Sequence, residues 1–142
     1  MKIKIPLQLV ELEDYNFHLA VESKLPDGSQ SFWIVDTGAS KTVFDKSLSK
    51  NFREAKHESE EVHTAGIGEK PLESSVGYLK PFSIEKLNLR EMRVALLDLS
   101  HINQFYSKVT NMKICGLLGS DFLLKHEAVV DYKKKRLVLT RI

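Results

Sequence analysis

Phe32-Trp33-Ile34-Val35-Asp36-Thr37-Gly38-Ala39-Ser40 is the stretch on which the reading of this chain turns. An apolar, aromatic-rich run ends in a lone carboxylate, and a small hydroxyl residue and a glycine follow at once. A short apolar run closed by a turn signal predicts a buried strand over residues 32–35. Asp36 then stands where a core strand ends, partly withdrawn from water, with backbone amides and the Thr37 hydroxyl close by. A carboxylate so placed has a tunable pKa, because burial, charge and hydrogen bonding all act on it. A buried strand followed by a plain Asp-Thr-Gly turn would carry the same residues, so this stretch alone leaves both readings open.

Further down the chain lies Ile114-Cys115-Gly116-Leu117-Leu118-Gly119-Ser120-Asp121-Phe122-Leu123. Leu117 and Leu118 are suited to a core. Gly119 lets the chain pass where a Cβ would clash, or adopt positive φ. Ser120 or Asp121 can cap the short helix that Phe122 and Leu123 begin. Taken together, the two stretches resemble the Asp-Thr-Gly-Ala/Ser signature and the second, apolar-apolar-Gly signature of the aspartic peptidases. The likeness is to the single-motif, retropepsin-like group and its bacterial-type aspartyl proteases. It covers about residues 17–139, with the motifs specific and the segments between them matched only in pattern. The resemblance implies a closed β-barrel of the acid-protease type, with a β-hairpin flap and one or two short helices, filling one domain over residues 1–142. It also implies that the second-motif strand lies beside the loop bearing Asp36, so that the two motifs meet in space.

Composition agrees with one domain. A chain of 142 residues with 42% hydrophobic and 28% charged residues is an ordinary globular protein with room for a real core. Twenty-one basic against 19 acidic residues leave a net charge of +2, which gives no field suited to nucleic acid or a membrane surface. The single cysteine, Cys115, has no internal partner and sits in an apolar strand, so it reads as a buried thiol. No run of eighteen apolar residues occurs and the N-terminus lacks a signal-peptide core. A cytoplasmic protein is expected, unless an export segment has been removed.

Around the first motif the chain reads as short strands. Ile3, Ile5, Leu7 and Leu9 alternate with Lys2, Lys4 and Gln8, the period-two pattern of a half-buried strand, with Pro6 assigning it to an edge. Residues 15–21 form a second strand, and Pro26-Asp27-Gly28 turns the chain into the motif strand. Val43-Phe44-Asp45 follows, with a short helical turn within residues 45–52. Residues 87–97 read as a strand pair or one long strand. Residues 98–106 then form a short helix with Ser100 as N-cap, inside a 98–113 insertion relative to compact viral enzymes. Phe105 and Tyr106 are expected to pack that helix down. Residues 128–132 and 136–139 make a hairpin around Lys133-Lys134-Lys135, a solvated turn rather than a nucleic-acid patch. Short strands without long amphipathic helices point to an all-β barrel.

Between the motifs, residues 62–65 and 74–79 form two arms around Gly66-Ile67-Gly68-Glu69-Lys70-Pro71. The resemblance makes this the flap over the substrate, with Ala65, Gly66, Ile67 and Gly68 as flap and substrate-binding residues. A plain surface hairpin has the same physics, and no residue matches the tyrosine of pepsin-like flaps. Other chemistries find little support. The five histidines show no helical His-x-x-x-His spacing, no Walker-type loop is present, and the Gly-x-Ser-x-Gly elbow is absent. Neither a metal nor a cofactor is expected.

The resemblance assigns catalysis to Asp36 and support of its loop to Thr37, Gly38, Ala39 and Ser40. Leu117, Leu118, Gly119 and Asp121 form the supporting second motif. Family catalysis needs two facing carboxylates, one accepting a proton from water while the other donates to the scissile carbonyl oxygen. One Asp-Thr-Gly per chain therefore implies a homodimer with Asp36 and its symmetry mate on the axis, acting on a peptide or protein substrate. Residues 1–9 and 137–142 are the candidate interface strands, in which case removal of residues 1–6 would leave a folded monomer. If these ends close only their own chain, the dimer rests on the Asp36 loops and flaps alone. Two other classes compete: a catalytically silent peptide-binding or dimerisation module, and a two-carboxylate hydrolase such as a glycosidase, for which no second motif is evident.

Overall fold

Alternation builds the first strands of the computed structural model, which describes residues 1–62 and 72–142, with side chains for 1–55 and 75–142. In β1 (Lys2–Pro6) the isoleucines turn inward and the lysines outward. The pattern does not continue as one strand. Pro6 has no N–H to donate, and past it the chain leaves one sheet for another, where β2 (Gln8–Glu13) pairs antiparallel with β3 (Asn16–Lys24). The Asp27-Gly28 turn links β3 to β4 (Gln30–Val35), its Gly28 at φ 89° in the left-handed region that the turn requires.

Beyond the first motif come β5 (Val43–Asp45), a single 3-10 turn at Ser49–Asn51, and the long pair β6 (Phe52–Val62) and β7 (Leu72–Leu79). Then follow β8 (Phe82–Ile84), β9 (Leu87–Leu89), β10 (Met92–Leu97), α1 (Ser100–Val109), β11 (Ile114–Leu118) and α2 (Ser120–Lys125). The hairpin β12 (Val129–Asp131) and β13 (Arg136–Thr140) ends the chain. The stretch expected as one strand or a strand pair over 87–97 becomes two strands that do not pair with each other, since β9 joins β8 while β10 lies between β5 and β7.

The expectation of a closed all-β barrel is not met. The large sheet is mixed and open: it runs β6-β7-β10-β5-β11-β4-β3-β8-β9, and its end strands β6 and β9 do not pair. It curls into a half-barrel accompanied by two short helices. Two pairs, β4 with β11 and β5 with β10, are parallel. The physical reason lies in how the apolar faces are covered. A separate three-stranded sheet, β1-β13-β12, delivers Ile3, Ile5, Leu137 and Leu139 to the same core as Trp33, Phe44, Leu118 and Phe122 of α2. Once a second sheet and a helix bury the concave face, barrel closure is not needed to remove it from water.

The other face of the central strands carries a smaller core. Val10, Ile34, Val43, Ala95 and Leu117 meet Leu99 and Tyr106 from α1 and its start. Asn103 ties the helix to β11 twice, its amide donating to the Ile114 carbonyl at 3.0 Å and its oxygen accepting the Ile114 N–H at 2.8 Å. Tyr106 packs as expected, whereas Phe105 faces solvent. Ser100 is not the N-cap. Leu99 holds that position, and Asp98 accepts the Ser100 N–H at 2.9 Å, a bond that lowers the carboxyl's pKa. Among the described residues, no helix is long and apolar enough to cross a membrane.

Candidate active site

Asp36 follows the last residue of β4, and the ladder with β11 carries it one step further: the Asp36 N–H donates to the Leu118 carbonyl at 3.0 Å. There the chain turns. The Ala39 N–H donates to the Asp36 carbonyl at 3.2 Å, and the Gly38 N–H donates to the Asp36 carboxylate, Oδ1, at 3.0 Å. This local Asx bond is why an Asp is suited to the position, since its side chain replaces a backbone acceptor in the turn. The result is a half-buried carboxylate with its backbone fixed on one side and its side chain on the other. Thr37, Gly38 and Ser40 point to the surface, while Ala39 is fully buried beneath them.

The second motif forms the floor. Leu117 and Leu118 face opposite ways from β11, one into the α1 core and the other into the main core. At Gly119 a Cβ would lie 2.6 Å from the Lys41 carbonyl and 2.8 Å from the Ala39 oxygen, so no side chain fits under the loop. Its backbone is extended, at φ −90° and ψ −179°, which removes the positive-φ explanation and leaves space alone as the reason for glycine. The Ser120 N–H donates to the Ala39 carbonyl at 2.8 Å, and the Ser120 hydroxyl donates to the Ser40 carbonyl at 3.4 Å.

Thr42 joins the two motifs and was not singled out from the sequence. It is buried, its hydroxyl donating to Asp121 Oδ1 at 2.7 Å and accepting the Gly119 N–H at 3.1 Å. The same Asp121 oxygen accepts the Phe122 N–H at 2.7 Å. Asp121 therefore spans loop and helix, while Gly119 occupies the N-cap position of α2. The available signal was a hydroxyl residue opening the wholly buried triplet Val43–Asp45 six residues after Asp36. Gly116 was the second omission: a Cβ there would collide with the Val43 carbonyl and the Trp33 ring. A glycine inside a strand marks such an approach.

The structure thus brings together Asp36, Thr37, Gly38, Ala39, Ser40, Leu117, Leu118, Gly119 and Asp121. Ala65, Gly66, Ile67 and Gly68 lie outside the described residues; the arms that lead to them, β6 and β7, pair antiparallel as far as Val62 and Leu72. Among the described residues no three His, Cys, Asp or Glu side chains are placed to share a metal ion. Chemically, the arrangement offers the half-buried Asp36 carboxylate, held at Oδ1 by the Gly38 amide and able to accept or donate a proton if a second group approaches from outside the chain.

Comparison with known proteins adds the lineage. Residues 25–122 match the family model described as aspartyl protease. The fold is similar to the crystal structure of a retropepsin-like aspartic protease from Rickettsia conorii, at 15% identity and a TM-score of 0.53, covering 98% of this chain and 90% of that one. No curated protein matches the chain.

Proposed function

The chain belongs to the aspartyl protease family, and from that premise we propose that it is an aspartic endopeptidase whose site is completed by a second copy of itself. The observation that carries this reading is Asp36 itself. It stands at the end of a central strand, held by its own amide to Leu118 and by the Gly38 amide on its carboxylate, with Thr37, Gly38 and Ser40 outward. These bonds fix the backbone and one carboxylate oxygen, Oδ1, and support a reading in which the other oxygen meets a symmetry mate and a substrate.

In the proposed dimer the two Asp36 carboxylates face each other across the axis. Like charges about 3 Å apart cannot both ionise, so the pair holds one proton between them. The ionised member takes a proton from a water that attacks the scissile carbonyl, and the protonated member donates to the carbonyl oxygen. In that dimer the exposed Thr37 and Gly38 would meet the partner loop, and an extended peptide would lie between this floor and the arms β6 and β7. Asp121 is a poor substitute for the second carboxylate, because Oδ1 is taken up by Thr42 and the Phe122 amide.

The terminal strands favour the weaker form of dimer. β13 has β1 on one side and β12 on the other, all from one chain, so no edge of β13 is left for a partner strand. The contact then rests on the Asp36 loops and flaps, with the outer edge of β1 in addition. Incubation with a mixed peptide library at several pH values, with and without a pepstatin-type transition-state mimic, tests the activity. Specific activity is expected to rise with protein concentration and level off above the dimer dissociation constant. Constant specific activity from a sedimenting monomer would refute the shared dyad.

A further inference from the structure

A basic cleft among the described residues is lined in part by Asp121 of the second motif but by no residue of the 36–40 loop. It is a cavity of about 470 Å³ between strand β9, helix α2 and the end of the chain. That volume is within the range that holds a small ligand or a few residues of peptide. Its rim carries Arg90, Arg93, Lys125 and Arg141, all exposed, and half-buried Leu89 and Met92 contribute apolar surface.

The two acidic side chains that line it are already engaged. Glu91 pairs with Arg53 at 3.7 Å, and Asp121 accepts the Thr42 hydroxyl and the Phe122 N–H. Among the described residues Arg90, Lys125 and Arg141 make no ion pair. Asp121 keeps its negative charge, since its partners are neutral donors, but Arg90, Lys125 and Arg141 outnumber it and leave the cleft net positive. One wall is also a sheet edge: β9 ends the strand order and pairs only with β8, so its outer backbone groups have no strand partner among the described residues. An unpaired edge is a template for an added strand. A second copy of β9 would bring the same flanking cations and be repelled, whereas an acidic segment would be drawn in.

We propose that this cleft is a peptide-binding site separate from the Asp36 surface, in which an extended segment of acidic and apolar residues pairs with the free edge of β9. The acidic side chains meet Arg90, Lys125 and Arg141, and the apolar ones rest on Leu89 and Met92. The proposal does not depend on catalysis, since the site would hold such a segment in an inactive protein too.

Fluorescence anisotropy with a labelled octapeptide of alternating Glu and Leu tests it on the full chain. The octapeptide is expected to bind, and its Lys-for-Glu counterpart is not. The triple variant Arg90→Glu, Lys125→Glu, Arg141→Glu should weaken binding about tenfold or more, and the Gln-substituted triple, which avoids new like-charge contacts, by less. Asp36→Asn should leave binding unchanged. A peptide N-methylated at alternate residues should bind poorly, because it cannot donate to the β9 edge. Binding that survives charge reversal, or that falls with Asp36→Asn instead, puts the peptide elsewhere and overturns the site. Equal binding of the N-methylated peptide overturns the strand pairing. Equal competition by inorganic phosphate or a single-stranded oligonucleotide at matched charge would show a general anion surface, and overturns the peptide specificity.

Discussion

The Asp36 loop and the terminal sheet are both places where a dimer of this protein was to be expected, and they are built in opposite ways. The loop is fixed from beneath by Leu118, Gly119 and Ser120 and leaves Thr37, Gly38 and Ser40 facing out. In the terminal sheet β13 has both edges occupied by β1 and β12, and its apolar face delivers Leu137 and Leu139 to the core. The first region holds groups ready for something outside the chain, whereas in the second the central strand β13 has both edges paired within its own chain and, among the described residues, only the outer edges of β1 and β12 stay open. An element can share its place in a sequence with an interface and still be committed to folding.

The sharpest break in the comparison is chemical. Asp36→Asn keeps the size of the side chain and an oxygen for the Gly38 N–H, so the fold should survive. Peptide cleavage should fall by about 100- to 10,000-fold, the range associated with a lost general acid or base. Cleavage assays with the purified variant, beside an unchanged melting curve, check both halves.

The terminal sheet should respond in stability. Ile5 is wholly buried and Ile3 nearly so in the main core, so Ile5→Ala should cost about 2–5 kcal/mol in chemical denaturation. Deleting residues 1–6 removes both and leaves β13 with a bare edge. Rather than the folded monomer expected of an interleaved interface, the truncated protein should be largely unfolded, which circular dichroism would reveal at once.

Smaller effects probe the floor of the loop. Gly119→Val forces a branched side chain against the Lys41 and Ala39 carbonyls, an overpacking of about 1–3 kcal/mol or more. Thr42→Val keeps the shape but leaves the buried Gly119 N–H without its acceptor, for about 1–3 kcal/mol, and Thr42→Ser should restore most of the loss. Because the proposed activity rests on this loop, Thr42→Val should also lower peptide cleavage beyond its effect on the folded fraction. The smallest response belongs to Cys115. Complete burial pushes its thiol pKa far above the usual range, so thiol reagents should leave the native protein unlabelled at neutral pH and react only on unfolding.

What the sequence made legible was local. The strand ending at Asp36, the turn at Asp27-Gly28 and the close passage at Gly119 each follow from residue types within a few positions, and the family resemblance placed the two motifs side by side. The barrel did not follow. Whether a curled sheet closes depends on what else covers its concave face, and the alternation of Ile3 and Ile5 reads the same whether β1 joins the large sheet or lies over it. Thr42 escaped notice because its role rests on two partners some eighty residues away, Gly119 and Asp121, and nothing beside it in the chain announces them.

Trp33 is the only tryptophan of the chain, and it lies at the centre of the main core, between the rings of Phe44 and Phe82 and above Gly116. Its indole nitrogen is buried and finds no hydrogen-bond partner among the described residues. An excited indole so enclosed has no mobile solvent to relax it, so the native protein should fluoresce near the blue end of the tryptophan range, with quenchers such as iodide kept out. The same ring rests on β11 two residues before Leu118, the residue whose carbonyl anchors Asp36. One intrinsic optical signal therefore follows the junction of the two motifs without any label.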